Sequence, residues 1–249
     1  MFIFDKKNVL KKLPDRELRL TADGSHTLHL PDWGEHYHSL HGAMAESRHV
    51  FIREGFDYAL RHVLPPLVEG FPESGMRKLS VLEVGFGTGL NALLTLERAL
   101  QLEVSVAYTA LEPFPLAEQE IMALNIPDKV SDGKLKEAFF QMHAVPDGVG
   151  LEILPGFFFT IKKLGIQDVS FRNESFHLVY HDAFAPQFQP EMWHVKVFRK
   201  ICPAMVPGGV LTTYSAKGDV KRALRAAGFR LEHPGGPAGK REMTRAQKI

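Results

Sequence analysis

The feature that most constrains the fold of this chain is an apolar run that enters a glycine-rich turn. The run Ser80-Val81-Leu82-Glu83-Val84 leads into Gly85-Phe86-Gly87-Thr88-Gly89, and a helical pattern begins directly afterwards. A buried strand, a tight turn and a helix in this order are typical of nucleotide-binding α/β folds. The segment therefore predicts a ligand site at the end of its strand.

Apolar runs continue to alternate with amphipathic segments along the rest of the chain, which favours βαβ units around a parallel sheet. Strands are predicted near residues 79–84, 106–111, 176–181 and 209–214, and helices near 89–101, 115–124, 190–202 and 217–227. Residues 128–165 are ambiguous, with a helical piece at 134–142 and a run at 157–161 that fits a further strand. We predict a Rossmann-like α/β domain with a mostly parallel sheet and helices on both faces.

The N-terminal region follows a different pattern. Residues 17–30 alternate around Asp23-Gly24, which predicts a β-hairpin. Ser47 is placed to cap a helix that runs to about His62 and is stopped by Pro65-Pro66. Because 249 residues suit one large domain with additions, we predict a hairpin and helix extension over 1–70, packed on a core over 71–249.

The composition, with 45% hydrophobic and 24% charged residues, is that of an ordinary globular protein. No run approaches the roughly 18 apolar residues of a membrane span. The opening Met1-Phe2-Ile3-Phe4 lacks the features of a secretion signal, so we expect a cytoplasmic protein. The single cysteine, Cys202, is expected to be a buried and unreactive thiol.

The spacing of the turn indicates which nucleotide it suits. Its glycines follow G-x-G-x-G, whereas dinucleotide-binding turns follow G-x-G-x-x-G. Glu83, just before the turn, would repel phosphates but suits the charged amino group of S-adenosylmethionine. Glu112, after the second predicted strand, can accept hydrogen bonds from ribose hydroxyls. Together they predict a class I S-adenosylmethionine-dependent methyltransferase; the alternative is a solvated strand-end acid at Glu83 and a helix cap at Glu112.

The predicted strand over 176–181 ends next to Asp182. Because the carboxyl ends of parallel strands face the ligand crevice, Asp182 is the predicted catalytic residue. An amine with a pKa near that of lysine is mostly protonated at pH 7, and a carboxylate can orient it and assist loss of its proton. The alternative is a turn or helix-capping aspartate.

Two further patterns concern charge and metal binding. His36, His38 and His41 have no recognised metal-ligand spacing, so they are expected to be strand-surface histidines and no metal site is predicted. The net charge is only +1, but from Lys217 onwards Lys and Arg outnumber Asp and Glu nine to three. Such a basic stretch can bind a phosphate backbone, although a solvated helix face with a frayed tail is the alternative.

Several blocks, in order, resemble the methyltransferase domain of the bifunctional bacterial tRNA enzyme for 5-methylaminomethyl-2-thiouridine biosynthesis and its stand-alone relatives. The blocks are Glu46-Ser47-Arg48-His49-Val50-Phe51, Gly85-Phe86-Gly87-Thr88-Gly89-Leu90-Asn91, Asp182-Ala183-Phe184-Ala185-Pro186, Pro190-Glu191-Met192-Trp193, Pro207-Gly208-Gly209, Tyr214-Ser215-Ala216-Lys217-Gly218 and Gly239-Lys240-Arg241-Glu242-Met243. The resemblance implies methylation of the exocyclic amine of 5-aminomethyl-2-thiouridine at the wobble position, in the tRNA anticodon loop. Asp182 matches the catalytic aspartate of that family.

The resemblance also implies roles for other residues. The expected contacts to S-adenosylmethionine are Glu83, Gly85, Phe86, Gly87, Thr88, Gly89, Asn91, Glu112 and Asp168. Asp168 is the expected adenine contact, although Gly165-Ile166-Gln167-Asp168 does not align cleanly with the acidic residue of the family. The expected contacts to the substrate are Phe184 and Tyr214, on which the base would stack, and Lys217, Lys240 and Arg241, which would meet phosphates.

The bifunctional enzymes continue into a flavin-dependent oxidase domain, whereas this sequence ends at Ile249. We therefore expect no flavin chemistry from these residues. The residues themselves leave open a small-molecule amine methyltransferase or an aminopropyltransferase on the same fold, and a nucleotide-binding module without catalysis. They do not predict the oligomeric state or which tRNAs are used.

Overall fold

The computed structural model describes residues 15–64, 78–130, 132–237 and 239–249. Met1-Phe2-Ile3-Phe4, the predicted helix stop at Pro65-Pro66 and the predicted domain boundary after residue 70 lie outside the described residues. Within these ranges, every helix is too short or too polar to be a candidate membrane span.

An eight-stranded sheet forms the centre of the protein. Its strands are β4 (Lys78–Val84), β5 (Ser105–Leu111), β6 (Gly150–Leu154), β7 (Phe157–Lys162), β8 (Phe176–His181), β9 (Met205–Thr213), β10 (Phe229–Glu232) and β11 (Thr244–Lys248). Their order in the sheet is β10-β11-β9-β8-β4-β5-β7-β6. The five strands from β9 to β7 are parallel, and both edges are antiparallel. This arrangement confirms the predicted Rossmann-like sheet.

Before the central sheet, residues of the N-terminal extension form a smaller antiparallel sheet. It contains β1 (Glu17–Leu20), β2 (His26–Leu30) and β3 (Glu35–His36). The hairpin predicted around Asp23-Gly24 is therefore confirmed, and the Asp23 carboxylate accepts a hydrogen bond from the Ser25 backbone N–H. Arg16 joins this sheet to the core because its guanidinium donates to Glu120 at 2.8 Å.

Helices cover both faces of the central sheet. They are α1 (Ala43–Ser47), α2 (Tyr58–His62), α3 (Leu90–Gln101), α4 (Glu118–Ala123), α5 (Gly133–Ala144), α6 (Val195–Ala204) and α7 (Gly218–Ala226), with a π-helical segment at Arg48–Asp57 and 3-10 turns at Ile126–Lys129 and Pro190–Trp193. One face of the sheet packs against α3, α5 and the helical segment of the extension, and the other packs against α6 and α7. The prediction of helices on both faces is confirmed.

Several predicted boundaries are wrong for identifiable reasons. Ser47 does not cap a helix: the helical segment begins at Ala43, and Ser47 lies inside it with αR dihedrals. The helix predicted over 190–202 is two elements, because His194 has an extended backbone and its ring accepts from the Lys196 N–H to start α6. Cys202 is half-buried rather than fully buried, and that burial raises the pKa of its thiol.

Candidate active site

A cleft of about 1000 Å³ opens at the carboxyl ends of β4, β5 and β8. The chain passes from β4 to β5 on one side and returns to place β8 on the other, so β4 and β8 form a topological switch point. Ligands of open α/β sheets bind at such points. The roof of the cleft comes from residues 33–51 of the N-terminal extension.

The glycine-rich turn packs tightly against the loop that follows β8. Gly85 has φ +94°, and a Cβ there would lie 2.5 Å from the carbonyl oxygen of Asp182. At Gly87, with φ +53°, a Cβ would lie 3.1 Å from the Tyr37 ring. At Gly85 the atoms that a side chain would meet are therefore protein backbone. Both glycines and Phe86 line the cleft.

Glu83 is completely buried and does not line the cleft. Its Oε1 accepts a hydrogen bond of 3.0 Å from the carboxamide of Asn91. Burial raises the pKa of Glu83 well above its usual range, an effect that the hydrogen bond from Asn91 opposes. Its Oε1 is bonded to α3 and the residue lies outside the cleft lining, so the expected direct contact with a ligand amino group stays a prediction.

The same carboxamide reaches the predicted catalytic residue. Asn91 Nδ2 donates to Asp182 Oδ2 at 2.8 Å, so one NH₂ group links Asp182 to Glu83. Asn91 is buried behind the cleft wall, whereas Asp182 lines the cleft. Burial raises the pKa of Asp182 to about 7; the hydrogen bond from Asn91 and the charge of Lys240 lower it, and the charge of Glu46 raises it.

Glu112 lies at the cleft floor, at the end of β5. Its two oxygens accept from the backbone N–H groups of Gly87 at 2.8 Å and Phe114 at 2.9 Å. Burial raises the pKa of Glu112, and these two donors lower it. A carboxylate oxygen can accept more than one hydrogen bond, so Glu112 retains acceptor capacity towards the cleft. Asp168 also lines the cleft, but its side chain is exposed.

Thr88 and Gly89 lie beside the cleft without lining it. The Thr88 hydroxyl forms a 2.7 Å hydrogen bond with the ring of His38, and Gly89, with φ +77°, precedes the first turn of α3. Burial lowers the pKa of His38 to about 4, so this histidine is neutral at pH 7. The interpretation of His38 as a strand-surface residue is wrong: it ties the extension to the turn.

The other clustered histidines differ from His38. His36 lies in β3 and stacks on the ring of His29 with centroids 4.4 Å apart, as expected for a sheet-surface residue. His41 is exposed and follows β3. Across the ranges that the structure describes, no three His, Cys, Asp or Glu side chains are grouped to hold a metal ion.

Aromatic side chains face each other across the mouth of the cleft. Phe184, from the loop after β8, makes edge contacts with Trp33 and Tyr37, with centroids 5.6 and 4.9 Å apart. Phe188 lies parallel to Trp33 at 6.4 Å. Phe184, Trp33 and Tyr37 all line the cleft, and of these only Phe184 was among the predicted site residues. A tryptophan in the polar segment that follows the hairpin was the sequence feature that could have indicated a role for Trp33.

The hydroxyl of Tyr214 donates to the Ala183 carbonyl at 2.8 Å, next to Phe184. Lys240 lies with its ammonium 4.5 Å from the centroid of the Tyr214 ring and forms an ion pair with Glu46. Tyr214, Lys240 and Glu46 all line the cleft. Of the other predicted phosphate contacts, Lys217 and Arg241 are exposed and lie outside the lining, and Lys217 donates to Gln187.

Several known proteins are similar to this chain in sequence or in fold. Residues 157–249 match a family described as S-adenosyl-L-methionine-dependent methyltransferase. The chain is 30% identical over 225 residues to the tRNA 5-methylaminomethyl-2-thiouridine biosynthesis bifunctional protein MnmC of Pseudomonas aeruginosa, covering 85% of this chain and 32% of that protein. The protein of the same name from Pseudomonas savastanoi is 27% identical over 247 residues, covering 94% of this chain and 35% of that protein.

A solved structure of MnmC2 from Aquifex aeolicus superimposes with a TM-score of 0.70. The match covers 95% of this chain and 71% of that chain at 24% identity, so it supports the fold alone. The fold and the family match define a class I S-adenosylmethionine-dependent methyltransferase. Within this class, the chain is similar over most of its length to the MnmC proteins named above. It spans about a third of the length of the curated relatives that it matches.

Proposed function

We propose that this chain methylates the exocyclic amine of 5-aminomethyl-2-thiouridine at the wobble position of tRNA, which yields 5-methylaminomethyl-2-thiouridine. The observation that carries the proposal is the position of the Asp182 carboxyl group. It lines the cleft beside the glycine-rich turn and is held by Asn91. The names of the relatives, which specify this modified nucleoside, supply the acceptor.

The cleft fits S-adenosylmethionine, the cofactor of this family. Glu112 has acceptor capacity for ribose hydroxyls, and Gly85 and Gly87 line the cleft next to it. Asp168, on the same rim, is the proposed adenine contact. When bound, S-adenosylmethionine supplies an electrophilic methyl group on a positively charged sulfur. We assign Glu83 and Asn91 an indirect part, because they hold the cleft wall and Asp182 in place.

Asp182 prepares the acceptor for methyl transfer. An alkyl amine with a pKa near 10 is mostly an ammonium ion at pH 7 and has no free lone pair. A carboxylate with a pKa of about 7 can accept a hydrogen bond from this group and take up its proton. Holding the amine nitrogen in line with the methyl group provides further rate acceleration through positioning. Asp182 is therefore the proposed catalytic residue.

The aromatic groups at the cleft mouth suit a nucleobase that has left its stack. Bases in single-stranded loops of RNA are recognised by stacking on aromatic side chains. Phe184 is the proposed stacking partner, and the contacts of Trp33 and Tyr37 with Phe184 add the roof of the same slot. Tyr214 lines the same cleft, with its ring beside the ammonium of Lys240. Lys217, Arg241 and the basic C-terminal region would meet phosphates around the loop. A tRNA substrate places the activity in the cytoplasm.

The deciding experiment is mass analysis of wobble nucleosides after hypomodified tRNA has been incubated with the protein and S-adenosylmethionine. We expect 5-methylaminomethyl-2-thiouridine to appear with the wild-type chain and to be lost with Asp182→Asn. Transfer of an aminopropyl group would give a different mass increment, and an inert binding module would give none. Either result would refute the proposal.

A further inference from the structure

The ammonium group of Lys240 is held inside the cleft by two groups that do not depend on it. Glu46 pairs with Lys240 through Oε1, while its Oε2 accepts from the Ser39 backbone N–H at 3.1 Å. The Tyr214 ring, 4.5 Å from the ammonium, is fixed by the hydrogen bond from its hydroxyl to Ala183. The carboxylate and the aromatic face are therefore anchored to backbone whether or not Lys240 lies between them.

A carboxylate beside the face of an aromatic ring is a general receptor for an ammonium ion. Only 13% of the Glu46 side chain is exposed, so leaving its charge without a partner would be costly. Glu46, Tyr214 and Lys240 line the same cleft as Asp182, and the charges of Glu46 and Lys240 both act on that carboxyl group. An ammonium bound here therefore lies within electrostatic reach of the proposed catalytic residue.

We infer that Glu46 and the Tyr214 ring form the subsite for the ammonium group of the methyl acceptor, and that Lys240 fills this subsite until the acceptor enters. The inference rests on the proposed function, which makes the acceptor an aminomethyl nucleoside. Exchange of one ammonium for another keeps the half-buried charges balanced. The exchange would bind the ammonium group of the acceptor at Glu46, beside Asp182. Asp182 would then take up a proton from that ammonium group.

This role differs from the phosphate contact that the sequence predicted for Lys240. A lysine that binds phosphate increases affinity for RNA and has no effect on a nucleoside without phosphate. A lysine that occupies the ammonium subsite competes as a tethered ligand, so its removal increases the affinity for an amine. The two roles therefore predict different results for one substitution.

The test uses calorimetric binding of 5-aminomethyluridine and uridine to the full chain in the presence of S-adenosylhomocysteine. The wild-type protein should prefer the aminomethyl compound. Lys240→Met should bind the aminomethyl compound at least about threefold more tightly than the wild type does. Glu46→Gln keeps an acceptor for the Ser39 N–H, but its affinity for the aminomethyl compound should fall about threefold and it should no longer prefer this compound to uridine. Lys136→Met, which removes an exposed lysine paired with Asp128 outside the cleft, should match the wild type.

The inference is overturned if Lys240→Met binds 5-aminomethyluridine no more tightly than the wild type does. It is also overturned if Glu46→Gln still prefers 5-aminomethyluridine to uridine, or if the wild type shows no such preference. A measurement on the wild type guards against misfolded variants. The Lys240 CεH₂ signal, shifted upfield by the Tyr214 ring, should move towards its free position when 5-aminomethyluridine binds. Because these tests involve no methyl transfer, failure to modify tRNA would count against the proposed function alone.

Discussion

The carboxamide nitrogen of Asn91 lies 2.8 Å from the Asp182 carboxylate, across the junction between α3 and the loop after β8. The two residues are 91 positions apart in sequence and meet because β4 and β8 are neighbouring parallel strands. Asn91 can only donate through this nitrogen, so it favours the ionised form of Asp182. The pair thus links the glycine-rich segment to the proposed chemistry.

Methyl transfer should depend on pH through Asp182. The folded-state pKa of about 7 means that roughly a tenth of this group is ionised at pH 6 and nine-tenths at pH 8. If the carboxylate is the active form, kcat should rise about tenfold between these values at saturating cofactor. Asp182→Asn should lower kcat by about 10²–10⁴-fold and remove this limb of the profile. A limb that persists in the variant would assign the titration to another group.

The raised pKa of Asp182 should also make the stability of the folded protein depend on pH, in the direction opposite to that of activity. Because burial raises the folded-state pKa of Asp182 from its ordinary 3.8 to about 7, ionisation opposes folding as pH rises through this window. The cost is absent below pH 4 and complete above pH 7. Asp182→Asn should therefore be more stable than the wild type at pH 8, with a smaller difference at pH 5, in thermal unfolding monitored by circular dichroism. A pH-independent difference would contradict the shift.

Asn91→Ala should move the pH profile. Removal of the donor that lowers the pKa of Asp182 should shift the acidic limb of kcat to higher pH and reduce activity at pH 7. Asn125→Ala is the matched control, since Asn125 hydrogen-bonds to Gly24 and His26 away from the cleft. It should lower the unfolding temperature without moving the profile. Equal profiles for the two variants would leave Asn91 with no part in positioning Asp182.

Gly85→Ala should abolish binding of S-adenosylmethionine and destabilise the fold. The alanine would need φ +94° and a Cβ 2.5 Å from the Asp182 carbonyl oxygen, so backbone must move. Gly148→Ala separates the two effects, because Gly148 has φ +71° with open space around its Cβ position. We expect a loss of about 1–2 kcal/mol in the control from dihedral strain and a larger loss at Gly85. Comparable losses would rule out the close contact as the reason for Gly85.

The sheet could be predicted because its central strands are buried on both faces and therefore read as continuous apolar runs. The glycine-rich turn and the position of Asp182 at a strand end followed from this local pattern. The antiparallel edge strands β10 and β11 were missed, because the exposed Arg230 and the half-exposed Glu232 and Arg245 interrupt any apolar run. The local hydrophobic pattern therefore predicts a strand well where the strand is completely buried.

The walls of the cleft were harder to predict because they depend on long-range packing. Trp33 meets Phe184 and Glu46 meets Lys240 only after the extension has folded over the core. The direction of the Glu83 side chain was equally hidden, since a strand-end acid can face a ligand or a neighbouring helix. These contacts join residues about 150 or more positions apart, or depend on one side-chain orientation, and no local pattern encodes either.

Trp33→Ala should weaken binding of tRNA without affecting S-adenosylmethionine. Trp33 contacts Phe184 and Phe188 at the cleft mouth, where the wobble base is proposed to enter. Loss of a stacking platform costs about 1–3 kcal/mol per base, so KM for tRNA should rise roughly 5- to 150-fold while the cofactor dissociation constant stays constant. Phe158→Ala is the control, because Phe158 is 44% exposed and lies outside the cleft lining. An equal KM for both variants would exclude Trp33 from the acceptor site.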